Sequence, residues 1–386
     1  MTPLRRSSSA VLLAGACTVF AACTPTGADE SEMVRIAFFQ DLSVPDHVDL
    51  VSPSFLAFDL ALQRRLAGLG IDAEVVQLDT AGDAATALDM AHDVAADPAY
   101  ALAVVAPFWH EPVDVAKVLA DAGVPTISLS PVSASPWLVS TPPQGEALEL
   151  WRRFVPDRDA EATLLAGIAA RRSTEGQAQP VCLVRDGSAY GRGLIEQLAA
   201  ELGDWPATSI DASDPEAAAG GVREAGCPVV VWGGFAPGAR SFAWAMRDAG
   251  AARGRPVDLA GDAMKTIVPP TSPAGDGVVV GSVACSCVDV SIGMRLSSRR
   301  FVNVFQSEHG LAPGVYAAEA WDAGRLTAGA LESVGTDRAS MRAWMRAFTA
   351  YEGVARSYAF DDLGELTGGR PGMFVAAGTR WLPVPS

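Results

Sequence analysis

The chain has 386 residues, 49% of them apolar, and a formal net charge of −16 at pH 7. That length and apolar content suit about two domains, each with a buried core of its own. The acidic balance, with no basic run beyond the N-terminus, argues against nucleic acid as a partner and against electrostatic docking on anionic lipid.

Residues 1–22 read as a signal peptide. Arg5 and Arg6 make a positive n-region, residues 10–22 an apolar stretch too short to span a bilayer, and Phe20-Ala21-Ala22-Cys23 a small-residue cleavage site. Loss of the two arginines takes the net charge to −18. A cysteine at the cleavage point resembles the lipobox of bacterial lipoproteins, which implies an acylated Cys23 and attachment to the membrane through that lipid. Cys17, after Ala14-Gly15-Ala16, is the competing position, with a shorter apolar stretch before it. Residues 23–32 are polar, carry Pro25 and Gly27, and read as a flexible tether.

From residue 34 the pattern becomes regular. A strand is expected at 34–39 and a helix at 54–66, where Phe55, Phe58, Leu62 and Leu66 fall at helical spacing. Strands at 73–78, 101–106 and 126–129 alternate with helices at 84–96 and 113–122. This order predicts right-handed βαβ units and a parallel sheet covered on both faces. Residues 151–157 read as a crossing, after which the order repeats. Strands at 181–184, 208–210 and 229–232 are each followed by a helix, ending at 202, starting after Asp214, and spanning 239–249. In the first repeated unit Asp186-Gly187-Ser188 supplies turn chemistry and Tyr190 stands at the mouth of the helix. Beyond lie a strand at 277–283, an apolar helix at 317–331, a helix at 338–349 and a hairpin-like stretch from 358 to 382. The predicted fold is α/β, two Rossmann-like lobes with parallel sheets flanked by helices, with ligand expected beyond the carboxyl ends of the strands.

Four cysteines follow the leader. Cys182 and Cys227 both open strand-like runs, so a bridge between them is open, with buried free thiols the simpler reading. Cys285-Ser286-Cys287 looks too close for an easy mutual bond. Neither paired cysteines nor neighbouring histidines at zinc-ligand spacing occur, so no metal is expected. Catalysis is not expected either. The four histidines (47, 92, 110 and 309) accompany no G-x-S-x-G elbow, Asp41 has no lysine or metal set in its segment, and residues 187–193 lack the glycine spacing of a dinucleotide loop. No cofactor is implied.

Several stretches together resemble one family. They are Ile127-Ser128-Leu129-Ser130-Pro131 through Pro136-Trp137-Leu138, Ala189-Tyr190-Gly191-Arg192-Gly193-Leu194, and Gly233-Gly234-Phe235. Tyr316-Ala317-Ala318-Glu319-Ala320-Trp321-Asp322-Ala323 and Tyr358-Ala359-Phe360-Asp361-Asp362-Leu363-Gly364 complete the set. In order and spacing the chain is similar, over residues 33–386, to the extracellular solute-binding lipoproteins of branched-chain amino acid-type ABC transporters, which have the leucine-binding-protein-like, type I periplasmic-binding fold. The resemblance implies three hinge crossings, near residues 153, 284 and 356. Lobe one would then hold 33–152 with 285–355, and lobe two 153–284 with 356–386. It further implies an extracytoplasmic protein that traps a small molecule between its lobes by hinge closure and hands it to an ABC permease complex. A ligand sensor signalling to a membrane partner, or a surface lipoprotein that has lost binding, uses the same fold.

Site residues follow from the resemblance one at a time. It implies that Tyr190 contacts ligand from lobe two and that Ser133 and Ser135 offer hydroxyl and backbone donors. Two departures stand out. Phe108, Trp109, His110 and Glu111 replace the serines that hold a ligand carboxylate, and Gly238 replaces the glutamate that pairs with its ammonium. A standard amino acid in the usual pose is therefore not expected. Trp109 offers a stacking or cation-π face, His110 a titratable donor or acceptor, and Phe235 a facing aromatic. Asp262 follows a strand and points at the same rim; Gln40 and Asp41 are placed there by position alone. Each has a plainer reading as a packing, turn or capping residue.

Overall fold

Strand β1 (Val34–Gln40) is apolar along nearly its whole length because both of its faces are covered. Ile36 and Phe38 pack on one side with α1 (Val48–Leu66), while Ala37 and Phe39 pack on the other with α2 (Ala84–Ala96) and α3 (Pro112–Asp121). Strands β2 (Ala73–Asp79), β3 (Tyr100–Val105), β4 (Thr126–Ser128) and β5 (Trp151–Arg153) complete a parallel sheet of order β2-β1-β3-β4-β5. The structure is a computed structural model, and it describes residues 33–44, 48–106, 112–131, 149–173, 179–250, 256–266, 269–270, 279–288 and 296–384.

After β5 the chain enters a second sheet. In order come α4 (Arg158–Arg172), β6 (Val181–Arg185), α5 (Ala189–Leu202), β7 (Ala207–Asp211), α6 (Pro215–Ala225), β8 (Val229–Gly233), α7 (Ala236–Asp248), β9 (Val257–Ala260) and β10 (Val280–Cys285). A single 3-10 turn, Asp262–Met264, follows β9. The chain then returns to the first lobe with α8 (Leu296–His309), α9 (Ala317–Val334) and α10 (Arg338–Ala347), whose apolar faces join the first core. The hairpin β11 (Ala350–Glu352) and β12 (Ser357–Ala359) follows, with Tyr358 in that same core. Finally β13 (Gly372–Ala377) and β14 (Arg380–Val384) add antiparallel to the second sheet, giving β14-β13-β10-β9-β8-β6-β7. The two-lobed α/β architecture is as predicted; Tyr358, Phe360 and Leu366, expected in the second lobe, pack with the first lobe's core.

The first and third crossings are bolted together. Arg153 is fully buried, donates to Ser130 O at 2.8 Å, and pairs with Glu365 across 212 residues of sequence. Its own N–H donates to Gly364 O at 2.8 Å. Gly364 has φ +76°, and a Cβ there would overlap the carbonyl oxygen of Trp151, so only glycine fits. Residues 151–157, read as a crossing, begin as the edge strand β5. Helix α8, which packs through Phe301 and Phe305 with Val302 and Val304 partly covered, was not expected.

The cysteine expectation is corrected. Cys182, on β6, and Cys227, just before β8, are joined by a disulfide, since the two strands are neighbours and the Cα atoms stand 5.7 Å apart. Cys285 and Cys287 are also bridged, their Cα atoms 5.1 Å apart where the chain turns out of β10. Neither pair is left as buried thiols.

Candidate functional site

In parallel sheets the strand ends that point the same way form one rim, and a crevice opens where neighbouring strands lead in opposite directions. In the second lobe that rim is built from the ends of β6, β8 and β9. Asp186 ends the β6 segment and Ser188 caps α5, accepting from Gly191 N at 2.9 Å. Asp186 also accepts from Phe235 N at 2.8 Å, tying the end of β8 to the start of α5. The approach is close: a Cβ on Gly191 would lie 2.5 Å from Gly233 O, and one on Gly234 would overlap the Asp186 carboxylate. These glycines let Tyr190 and Phe235 meet, with ring centroids 5.4 Å apart at 46°. Both rings are almost fully buried.

Asp262 follows β9 and is 0% exposed. It accepts from Tyr190 Oη at 2.7 Å on one oxygen and from Tyr316 Oη on the other. Its own N–H donates to Glu161 Oε1, on α4, at 2.9 Å. Gly261 makes this packing feasible, because a Cβ there would overlap Tyr190 Oη and lie 2.6 Å from Glu161 Oε1. Burial, with the Asp262 charge second, pushes Glu161 well above the usual carboxylate range. Burial also raises Asp262, against the two phenol hydrogen bonds that favour its charged form. Both phenols are raised well above their ordinary value by burial first and by Asp262 next. The Arg158 guanidinium lies 5.8 Å from the Tyr190 ring centroid.

Tyr316 belongs to the first lobe. It stands at the start of α9 with φ +59°, a left-handed conformation that is strained for a tyrosine. Val51, near the start of α1, and Val315 join it in the second lobe's core. The starts of α1 and α9 thus press on the second lobe together, and the Tyr316–Asp262 bond lies in that seam.

On the first lobe's rim, Asp41 accepts from Thr80 Oγ1 and from Gly82 N at 3.2 Å, fixing the turn between β2 and α2. Ser128 and Ser130 are fully buried at the end of β4, with Ser130 N donating to Ser128 Oγ at 3.2 Å. Gln40 is also 0% exposed, and neither its Oε1 nor its Nε2 has a hydrogen-bond partner among the described residues.

Of the residues singled out from sequence, Tyr190, Phe235 and Asp262 come together. Asp262, expected to show a negative group at the rim, holds two phenols instead. Trp109, His110, Ser133 and Ser135 lie outside the described residues, as does Cys23. Sequence reasoning did not find Glu161 or Arg158, and it used Tyr316 only as part of a motif. Among the described residues no group of three or more His, Cys, Asp or Glu could hold a metal ion, and no helix is long and apolar enough to cross a membrane.

A sequence profile of the family described as periplasmic binding protein matches residues 33–375. Among solved structures, the leucine binding protein LivK of Thermotoga maritima matches with a TM-score of 0.74 at 15% identity, over 92% of this chain and 98% of that one. A fatty acid ABC transporter substrate-binding protein from Thermomonospora curvata gives 0.71 at 11% identity, over 92% of each chain. An ABC transporter solute binding protein from R. palustris, in complex with benzoate, gives 0.68 at 13% identity, over 91% of this chain and 95% of that one. Likeness at these identities establishes a common fold. No curated protein matches the chain in sequence.

Proposed function

The chain belongs to the periplasmic binding protein family, a non-enzymatic transport component that works outside the cytoplasm, and from that premise we propose that it captures a small solute between its lobes by hinge closure and delivers it to an ABC importer. An acyl group on Cys23 tethers it to the membrane. Tyr190 and Phe235 line the second lobe's side of the cleft, and Asp262 sets the pose of Tyr190. Trp109, His110, Ser133 and Ser135 contribute from the first lobe.

The observation that carries this reading is the Tyr316–Asp262 hydrogen bond. It joins a helix start of one lobe to a strand end of the other, beside the Tyr190–Phe235 pair. Only contacts that differ between the open and shut forms move that equilibrium, and this contact bridges the two bodies.

The solute is not an α-amino acid held in the usual pose. The position where the resemblance calls for an ammonium-binding glutamate is Gly238, and a Cβ there would lie 3.0 Å from Trp232 Cζ2 and 3.3 Å from Asp186 Cβ. A side chain there would have to shift Trp232 and Asp186 by a few tenths of an ångström, and a buried ammonium without a carboxylate is costly. Relatives of the same fold named for a fatty acid, or bound to benzoate, handle solutes without an α-ammonium.

The test is a thermal-shift screen of the mature protein followed by X-ray scattering with the best solute. A ligand at 100 times its dissociation constant adds about 2.7 kcal/mol of stability, and the radius of gyration should fall on binding. Superimposable scattering curves would overturn closure. Trp109→Ala should weaken the best solute, and Cys23→Ser should abolish palmitate labelling and release the protein from membranes.

A further inference from the structure

Gln40 is the last residue of β1, and β1 is the strand from which the first sheet departs in both directions, toward β2 on one side and β3 on the other. That is the switch point at which open α/β sheets bind ligands. By strand alternation its side chain leaves on the face of Ile36 and Phe38, the face covered by α1 and α9.

Those helices run side by side in the same direction. A Cβ on Gly324 would touch Phe58, Arg65 pairs with Glu332, and Val51 shares the seam with Tyr316. The Gln40 amide therefore sits under two adjoining helix starts at the boundary between the lobes.

Buried polar groups are nearly always partnered, and each exception calls for a reason. Among the described residues both ends of this amide are unpartnered, at zero exposure. A methionine or leucine would fill the space without that penalty. The adjoining acid, Asp41, is already held by Thr80 and Gly82.

We propose that Gln40 is a specificity determinant of the cleft and that it reads a neutral planar group with donor and acceptor side by side, as in a carboxamide, a urea or a lactam. A glutamine amide offers one acceptor and one donor edge in the same plane. Two reciprocal hydrogen bonds to such a solute satisfy both ends at once. A carboxylate would satisfy the N–H and face the C=O with a second acceptor, and an ammonium would leave the N–H unmet.

This inference rests on the solute-binding reading above. The probes are nicotinamide, acetamide, urea and 2-pyrrolidinone, with nicotinate and acetate as matched acids, measured by thermal shift and calorimetry. Wild-type protein should respond to at least one neutral amide and not to its acid. Gln40→Met, which keeps the length of the side chain, and Gln40→Leu should melt at or above the wild-type temperature without solute. Both should bind the amide about tenfold or more weakly.

A marked fall in the solute-free melting temperature of both variants would make Gln40 a structural group and overturn the proposal. So would equal binding of amide and acid, or unchanged affinity in the variants. If no neutral amide binds while another solute does and compacts the protein, the amide class falls and the cleft reading stands. If nothing in the wider screen binds, both fall.

Discussion

Tyr316→Phe removes one hydroxyl and keeps the ring that packs in the seam. In the wild type that hydroxyl donates to a carboxylate with no exposure, whose other oxygen is already taken by Tyr190 at 2.7 Å. Hydrogen bonds to charged groups contribute about 1.5–3 kcal/mol, and water cannot replace the lost donor at a site that excludes it. Since 1.4 kcal/mol is a factor of ten, closure should become about 10- to 100-fold less favourable. The loss appears in closure because donor and acceptor belong to different lobes. Calorimetry with the best solute should show an affinity lower by about the same factor, and scattering of the unliganded variant should show a larger radius of gyration. Unchanged affinity together with an unchanged scattering curve would refute the reasoning, since the bond would then be indifferent to how the lobes stand.

Asp322 supplies a pH dependence elsewhere in the first lobe. Burial raises it to about 7, although Val354 N, Ala355 N and Tyr358 Oη donate to it. A carboxyl raised above its unfolded value of 3.8 stabilises the fold fully below about pH 4, and that contribution is lost as pH rises through about 7. Urea midpoints should therefore fall between pH 5 and pH 8, by at most about 2.5–3 kcal/mol in stability, and Asp322→Asn should flatten that trend. Reduction of the Cys182–Cys227 bridge, which closes a loop of 45 residues, should lower stability by about 3–4 kcal/mol; a Cys182→Ala, Cys227→Ala variant already at the lower value should lose that part of its response to reductant. Gly261→Ala, which forces a Cβ against Tyr190 and Glu161, should lower the unliganded urea stability by about 1–3 kcal/mol, and a wild-type melt in this variant would show that the Asp262 cluster is looser than drawn.

Much of the fold is legible in the chain because strands buried on two faces leave continuous apolar runs, as 34–39 and 181–184 do. The elements that escaped are those whose burial depends on distant partners. Trp151-Arg152-Arg153 reads as polar, yet Arg153 is buried because Glu365 meets it from 212 residues away. Helix α8 buries only Phe301 and Phe305 fully, with Val302 and Val304 partly covered, among arginines and serines. The site divides in the same way. Tyr190 and Phe235 sit in local glycine-rich motifs that fix their backbone, so a short window of sequence reveals them. The partners that determine what Asp262 does, Tyr316 and Glu161, lie 54 and 101 residues from it. A window containing Leu259-Ala260-Gly261-Asp262 shows an acid after a strand and nothing of what it faces.

That distant pairing alters what the cleft offers a solute. Glu161 and Asp262 are in contact through the Asp262 N–H at zero or near-zero exposure, and two charged carboxyls packed this closely are strongly disfavoured. Burial and the Asp262 charge raise Glu161, while the two phenol hydrogen bonds favour the charged form of Asp262 against its burial, with the Arg158 guanidinium nearby over the Tyr190 ring. An anion held this way is an anchor for phenols. Its oxygens face Tyr190 and Tyr316, and a cationic solute reaching for them would have to break the Tyr316–Asp262 hydrogen bond. With Gly238 adding no acid, Glu161, Asp262 and residue 238 present no ready counter-ion on the second lobe. On the proposed reading, discrimination among solutes would rest on shape against the Tyr190–Phe235 pair and on neutral hydrogen bonds, the chemistry that the Gln40 amide, unpartnered among the described residues, would supply from across the seam.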